Sequence, residues 1–138
     1  MCRKKILLVD DDPVFTTAMA AKLQAEGFET SVAEDGAAAV AAARLFQPDL
    51  VMVDLLFPPD VANGGGDLGD GFLIVDWLRY TGALTGIPVI MMTASDSKQY
   101  AERARKERIA ALFKKTVPAD VWMRVIHELL NARSATAA

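Results

Sequence analysis

Apolar runs of four to six residues alternate along this chain with longer segments of helical period, and that alternation constrains the fold more than any other feature. Strands that are apolar throughout, rather than at every second position, are buried on both faces, as in a parallel sheet covered by crossover helices. The alternation reads as five βα units, with strands at Lys5–Val9, Phe28–Ala33, Leu50–Val53, Ile87–Met92 and Ala111–Lys114. Pro13 can open the first helix with Asp12 as its N-cap; Phe15, Met19 and Leu23 recur at four-residue spacing until Gly27 stops it. Ala-rich Gly36–Phe46, with Val40 and Phe46 for bulk, reads as the second helix, ended by Pro48. Phe72–Arg79 reads as the third, with Leu73, Trp77 and Leu78 inward. An amphipathic helix at Asp96–Lys106 and a final one at Pro118–Asn131, carrying Val121, Val125, Ile126, Leu129 and Leu130, complete the set. The expected fold is α/β, a doubly wound five-stranded parallel sheet. Phe57–Asp70, with Pro58-Pro59 and Gly64-Gly65-Gly66, reads as a long loop, mobile over Asp60–Asp70, and Ala132–Ala138 as a frayed tail.

A length of 138 residues fits one domain, 1–138 with its core at 4–131, and no repeat or linker divides it. An apolar fraction of 52% with 24% charged residues argues against disorder. No run approaches the roughly 18 apolar residues of a membrane span, so the chain is expected to be soluble, with no membrane contact. Cys2 is the only cysteine, which excludes an internal disulfide or a Cys-rich metal site. The start Cys2-Arg3-Lys4-Lys5 leads into only four apolar residues, too few for a signal peptide, and a cytoplasmic location is expected. Net charge is −3, but Asp96–Lys115 alone is +4, with seven basic and three acidic residues. Without interleaved aromatics this stretch reads as a solvated helix or a protein-binding face, and no direct nucleic-acid contact is expected.

Right-handed crossovers bring the carboxyl ends of all strands to one edge, where such sheets bind ligands. Asp10-Asp11-Asp12, Asp54, Thr93 and Lys115 each follow an apolar run and so converge there. Two carboxylates ~4 Å apart repel by roughly 4 kcal/mol at an effective dielectric near 20, which calls for a cation between them. A divalent metal held by carboxylates and water, Mg²⁺ or Mn²⁺, fits oxygen ligands of this kind. A carboxylate can attack phosphorus to give an acyl phosphate. Lys115 would then add a point charge and Thr93 a hydroxyl donor to the phosphoryl oxygens. Asp12 before Pro13 reads as a helix cap rather than a ligand, and His127 as structural or exposed.

At these residues the chain resembles the receiver domain of two-component response regulators, over nearly its whole length. Leu8-Val9-Asp10-Asp11 matches the acidic pair, Pro48-Asp49-Leu50-Val51-Met52-Val53-Asp54 the run into the phosphorylated aspartate, and Pro88–Ala94 the strand with the hydroxyl, here Thr93. Lys115, 22 positions after Thr93, matches the family's lysine. The resemblance implies a flavodoxin-like (βα)5 fold of strand order 2-1-3-4-5. It also implies Asp54 as phosphoacceptor, Asp11 and Asp54 as direct Mg²⁺ ligands, Asp10 acting partly through water, and the Leu56 backbone carbonyl completing the set. Partners implied are a histidine kinase or phosphotransfer protein, a downstream protein, and a second copy if phosphorylation drives dimerisation. Catalysis would be limited to its own phosphotransfer and dephosphorylation.

Three departures stand out. Thr116, not proline, follows Lys115; Leu112 occupies a position that is commonly aromatic; and Gly71 lies 17 positions after Asp54, about twice the usual gap, so residues 60–70 look like an insertion. The first two leave open a degenerate receiver that docks constitutively. A haloacid-dehalogenase-type phosphohydrolase is disfavoured, because Pro13-Val14 stands where such enzymes have Gly-Thr. A flavin carrier is disfavoured by three aspartates in its phosphate loop.

Overall fold

All five strands form, parallel and in the order β2-β1-β3-β4-β5: β1 Lys5–Val9, β2 Glu29–Ala33, β3 Leu50–Asp54, β4 Val89–Thr93 and β5 Ala111–Lys114. Helices α1 Pro13–Ala25, α2 Gly36–Phe46, α3 Asp70–Tyr80, α4 Ala101–Lys106 and α5 Ala119–Ala137 alternate with them. This computed structural model describes residues 3–55, 70–94 and 98–137, the side chains of 70, 99 and 134–137 excepted.

Successive strand residues point to opposite faces, so the continuous apolar runs feed two separate cores. Leu7, Val9, Val51, Val53, Val89 and Met91 pack with Ala39 and Ala43 of α2, Phe72, Val75 and Leu78 of α3, and Ala104 of α4. Ile6, Leu8, Leu50, Met52, Ile90 and Met92 pack on the other face with Met19 and Leu23 of α1 and with Trp122, Ile126 and Leu130 of α5. All of β3 and β4 is buried between these layers, as their unbroken apolar sequences require.

The first helix starts as its sequence dictates. Asp12 adopts an extended conformation, and its Oδ1 accepts from the N–H groups of Val14 and Phe15 at 3.0 and 3.3 Å. Those are donors that no helical carbonyl can reach. Asp12→Ala is expected to cost about 1 kcal/mol, measurable as a lower urea midpoint with an unchanged slope.

Three expectations are corrected. On α3 the buried residues are Phe72, Ile74, Val75 and Leu78, whereas Leu73 and Trp77 are 46% and 48% exposed. The Gly71 N–H donates to the Leu55 carbonyl at 3.1 Å, and this anchor sets the helix's rotation one position away from the expected face. Trp77 lies instead over α2, where a Cβ on Gly36 would come within 2.9 Å of its ring. The fourth helix is shorter than expected: a 3-10 turn, Lys98–Tyr100, precedes α4, whose N-cap Tyr100 offers no side-chain acceptor. The last helix runs on to Ala137 through the supposed tail. Arg133 helps hold it there, donating from Nη1 to Asp49 Oδ1 at 2.8 Å and from Nε to the Gly86 carbonyl at 3.1 Å.

Candidate functional site

The register of the central strands determines which side chains meet. Val9 is level with Val53 across β1 and β3, so Asp10 and Asp54 occupy the next position on each. Asp54 is level with Met92, and Thr93 with Lys114. The chain is tied at this edge by short main-chain bonds: Asp10 N to Ala33 O at 3.0 Å, Leu55 N to Met92 O at 2.7 Å and Lys115 N to Thr93 O at 2.7 Å. Asp10, Asp54 and Thr93 are buried, at 4%, 6% and 0% exposure.

Asp10, Asp11 and Asp54 each present a carboxylate oxygen, all within 4.8 Å of one another. Asp11 is the most solvent-accessible of them. The pocket thus has hard, anionic oxygen donors open to water on one side, a donor set suited to a small divalent cation such as Mg²⁺ or Mn²⁺. Lys115 reaches in from the loop after β5, its Nζ 2.7 Å from Asp10 Oδ2 and 3.5 Å from Asp54 Oδ2. Burial is the largest single influence on this ammonium and opposes its charge. The hydrogen bond with Asp10, the Coulombic attraction of Asp54 and Asp10 and the hydrogen bond with Asp54 together outweigh it, and the pKa lies above the ordinary 10.5. Lys115 is therefore a fixed cation at neutral pH. Asp10 is held in turn by the Asp12 N–H, which donates to its Oδ1 at 2.9 Å.

The structure gathers Asp10, Asp11, Asp54 and Lys115 at one edge as the sequence suggested, with Thr93 one residue beyond the level of Asp54. The Leu56 carbonyl and residues 60–69 lie outside the described residues. The sequence shows Phe15 only as part of a helical face. Its ring in fact lies 4.4 Å from Lys115 Nζ, a cation–π contact that helps aim the amine. The signal was its place in the first turn, three residues after the cap, which turns it toward the strand ends. Leu112 is partly buried against the α2–α3 core, and no cis peptide occurs among the described residues, so Lys115-Thr116 is trans. His127 stands apart on α5, 3.2 Å from Glu26 Oε2 and tilted against Phe28.

Gly71 packs directly on the main chain at the end of β3. A Cβ there would fall 2.3 Å from the Asp54 carbonyl oxygen and 2.8 Å from Leu55 Cα, so any side chain must displace the end of β3. Gly71→Ala is expected to cost about 1–3 kcal/mol through overpacking. A thermal melt unchanged from the parent would contradict this close approach.

The chain belongs to the response regulator receiver domain family, whose model matches residues 6–127. It is 39% identical over 92 residues to the DNA-binding response regulator MtrA of Mycolicibacterium smegmatis, a stretch covering 67% of this chain and 35% of that protein. To the probable transcriptional regulatory protein TcrX of Mycobacterium tuberculosis it is 35% identical over 107 residues, 78% of this chain and 38% of TcrX. The match thus spans little more than a third of these curated relatives. Among solved structures, the BeF3-activated N-terminal receiver domain of Klebsiella pneumoniae RstA superposes with a TM-score of 0.76 at 26% identity, covering 92% of this chain and 98% of that one. A CheY-like receiver domain protein from Methanospirillum hungatei JF-1 superposes at 0.80 with 21% identity, covering 98% and 99%, a likeness of fold. The chain is accordingly a receiver domain, the class of domain that phosphorylation-based two-component signalling employs. No helix among the described residues is long and apolar enough to cross a membrane.

Proposed function

We propose that Asp54 is the phosphoacceptor, that Asp10, Asp11 and Asp54 hold Mg²⁺ with the Leu56 carbonyl, and that Lys115 and Thr93 bind the phosphoryl oxygens. The observation that carries this reading is the trio of carboxylate oxygens within 4.8 Å, bridged at Asp10 and Asp54 by the Lys115 amine. A carboxylate oxygen of Asp54 attacks the phosphorus of a histidine kinase's or phosphotransfer protein's phosphohistidine. The phosphorus–nitrogen bond breaks, the imidazole leaves, and an acyl phosphate remains. When bound, Mg²⁺ supplies the positive charge that lets an anionic phosphoryl group approach an anionic carboxylate. Lys115 adds a second, permanent positive charge from the protein itself, held in place by Asp10 and Phe15.

New bonds from Thr93 and Lys115 to the phosphoryl group would then bias the face built from α4, β5 and α5. Moving an equilibrium from 1:99 to 99:1 takes about 5.5 kcal/mol, and two charge-assisted hydrogen bonds at ~1.5–3 kcal/mol each supply most of that. The output proposed for this face is contact with a downstream protein of acidic surface, complementary to the +4 stretch Asp96–Lys115, or with a second copy of the chain. The relatives are named as DNA-binding regulators, so the expectation of no direct nucleic-acid contact is restricted to these receiver residues. A cytoplasmic site of action follows from the kinase partner.

The test is incubation with Mg²⁺ and a small-molecule phosphodonor, read by intact mass. A single phosphoryl increment that EDTA prevents is expected. Steady turnover of a phosphomonoester would support a hydrolase instead, and Mg²⁺ binding without any increment a constitutive docking module.

A further inference from the structure

At the amino edge of the sheet, opposite the acids, an open cleft of about 810 Å³ lies between the ends of α3 and α5 and the approach to β4. Leu84, Pro88 and Leu129 give it apolar walls, and Arg79, Arg108 and Arg133 line it; among the described residues no carboxylate does. Two of the guanidinium groups are already positioned. Arg79 donates from Nη1 to the Glu107 carbonyl and from Nη2 to the Arg108 carbonyl at 3.2 Å, while Arg133 is fixed by the Gly86 carbonyl and by Asp49. A guanidinium carries five N–H donors, so each retains three. Arg108 has no hydrogen-bond or ion-pair partner among the described residues for its side chain. Of the nearby carboxylates, Asp49 is neutralised by Arg133, and Glu107 is paired with Arg103 at 3.5 Å.

Cations at the carboxyl ends of helices offset the helix dipole, and that accounts for a basic residue at any one of these ends. It does not require guanidiniums from α3, the α4–β5 turn and α5 to line one cleft with apolar walls. Arg108 is the more telling because its φ is +58°, a left-handed conformation that glycine adopts without strain. The turn alone would be better served by glycine, whereas arginine there adds an uncommitted cation to the cleft.

We propose that this cleft is a second binding site, for a small organic phosphate of the nucleotide class. Phosphoryl oxygens would take the free N–H groups of the three arginines, a geometry that guanidinium matches in bidentate fashion. The apolar body would lie on Leu84, Pro88 and Leu129. The volume falls within the roughly 300–1,000 Å³ usual for small-molecule sites. The site does not depend on the phosphoacceptor reading, since it lies at the other edge of the sheet.

The test is calorimetric titration of ADP into the protein in EDTA, with amide chemical-shift mapping. Binding is expected with shifts at Gly86 and Arg108 and none at Asp10 or Asp54. Arg108→Gly, which suits the backbone, is expected to weaken ADP roughly tenfold, the loss of one charge-assisted hydrogen bond, without lowering the melting temperature. Inorganic phosphate is expected to bind at least that much more weakly than ADP. Absence of heat at millimolar ADP, full affinity in Arg108→Gly, or shifts confined to the carboxyl edge would overturn the site. Equal affinity for inorganic phosphate would overturn the organic ligand.

Discussion

Asp54→Asn abolishes phosphoryl incorporation and leaves the fold intact: that is the expected result with the largest effect. The amide has nearly the shape of the carboxylate but lacks its nucleophilic anion, so no acyl phosphate can form. Stability should move the other way. Three carboxylates lie with oxygens within 4.8 Å, and the Lys115 ammonium contacts two of them; a pair of like charges ~4 Å apart repels by roughly 4 kcal/mol at an effective dielectric near 20. Neutralising Asp54 removes part of that repulsion while Lys115 keeps its shorter contact, 2.7 Å, with Asp10. The variant should therefore melt no lower than the parent in EDTA, and gain less from added Mg²⁺. A phosphoryl increment that persists in Asp54→Asn would place the nucleophile elsewhere and remove the basis of the functional reading.

Lys115→Ala is expected to destabilise the metal-free protein by about 3–5 kcal/mol, the usual consequence of removing one member of a buried ion pair. The Lys115 side chain is 15% exposed and those of its partners 5% and 7%, so solvent offers little relief. Mg²⁺ should restore part of the loss, since a ligand that binds only the native state raises its stability by mass action. The pH profile follows from the raised pKa of Lys115. A group with a folded pKa above its unfolded value contributes fully below the unfolded value, and its contribution fades as pH climbs through the folded one. The parent's Lys115 contribution is thus constant across neutral pH and declines only in strong alkali, above 10.5. Equal losses with and without Mg²⁺ would show that Lys115 acts through its packing on Phe15 rather than through charge.

The central strands β1, β3 and β4 were legible because their runs are almost wholly apolar, and the first helix because Asp12-Pro13 is capping chemistry that acts locally. The acid cluster was legible for a different reason: once the sheet is parallel and right-handed, strand ends have only one edge to share. Where sequence reasoning failed, the deciding contact was tertiary. Leu73, Trp77 and Leu78 make a plausible stripe, but the bond from Gly71 to Leu55 rotates α3 so that Phe72 and Val75 go inward. Trp122, only 3% exposed in the second core, falls among aliphatic residues whose spacing alone announces the helix. Near its far end α5 is anchored by Arg133 on Asp49, 84 positions earlier, a pairing no local pattern announces. Phe15 beneath the lysine amine is likewise a meeting of the first helix with the last loop.

The pairing of Val9 with Val53 carries a consequence for how the chain avoids misalignment. Side chains on a strand alternate with a period of two, so a slip of β3 by one place against β1 turns its whole apolar set toward the opposite layer. The same slip would swing Asp54 from beside Asp10 to a different level and facing. Alignment error here would forfeit hydrocarbon packing and leave charges stranded, two penalties for one mistake, so the residues that do the chemistry also proofread the sheet.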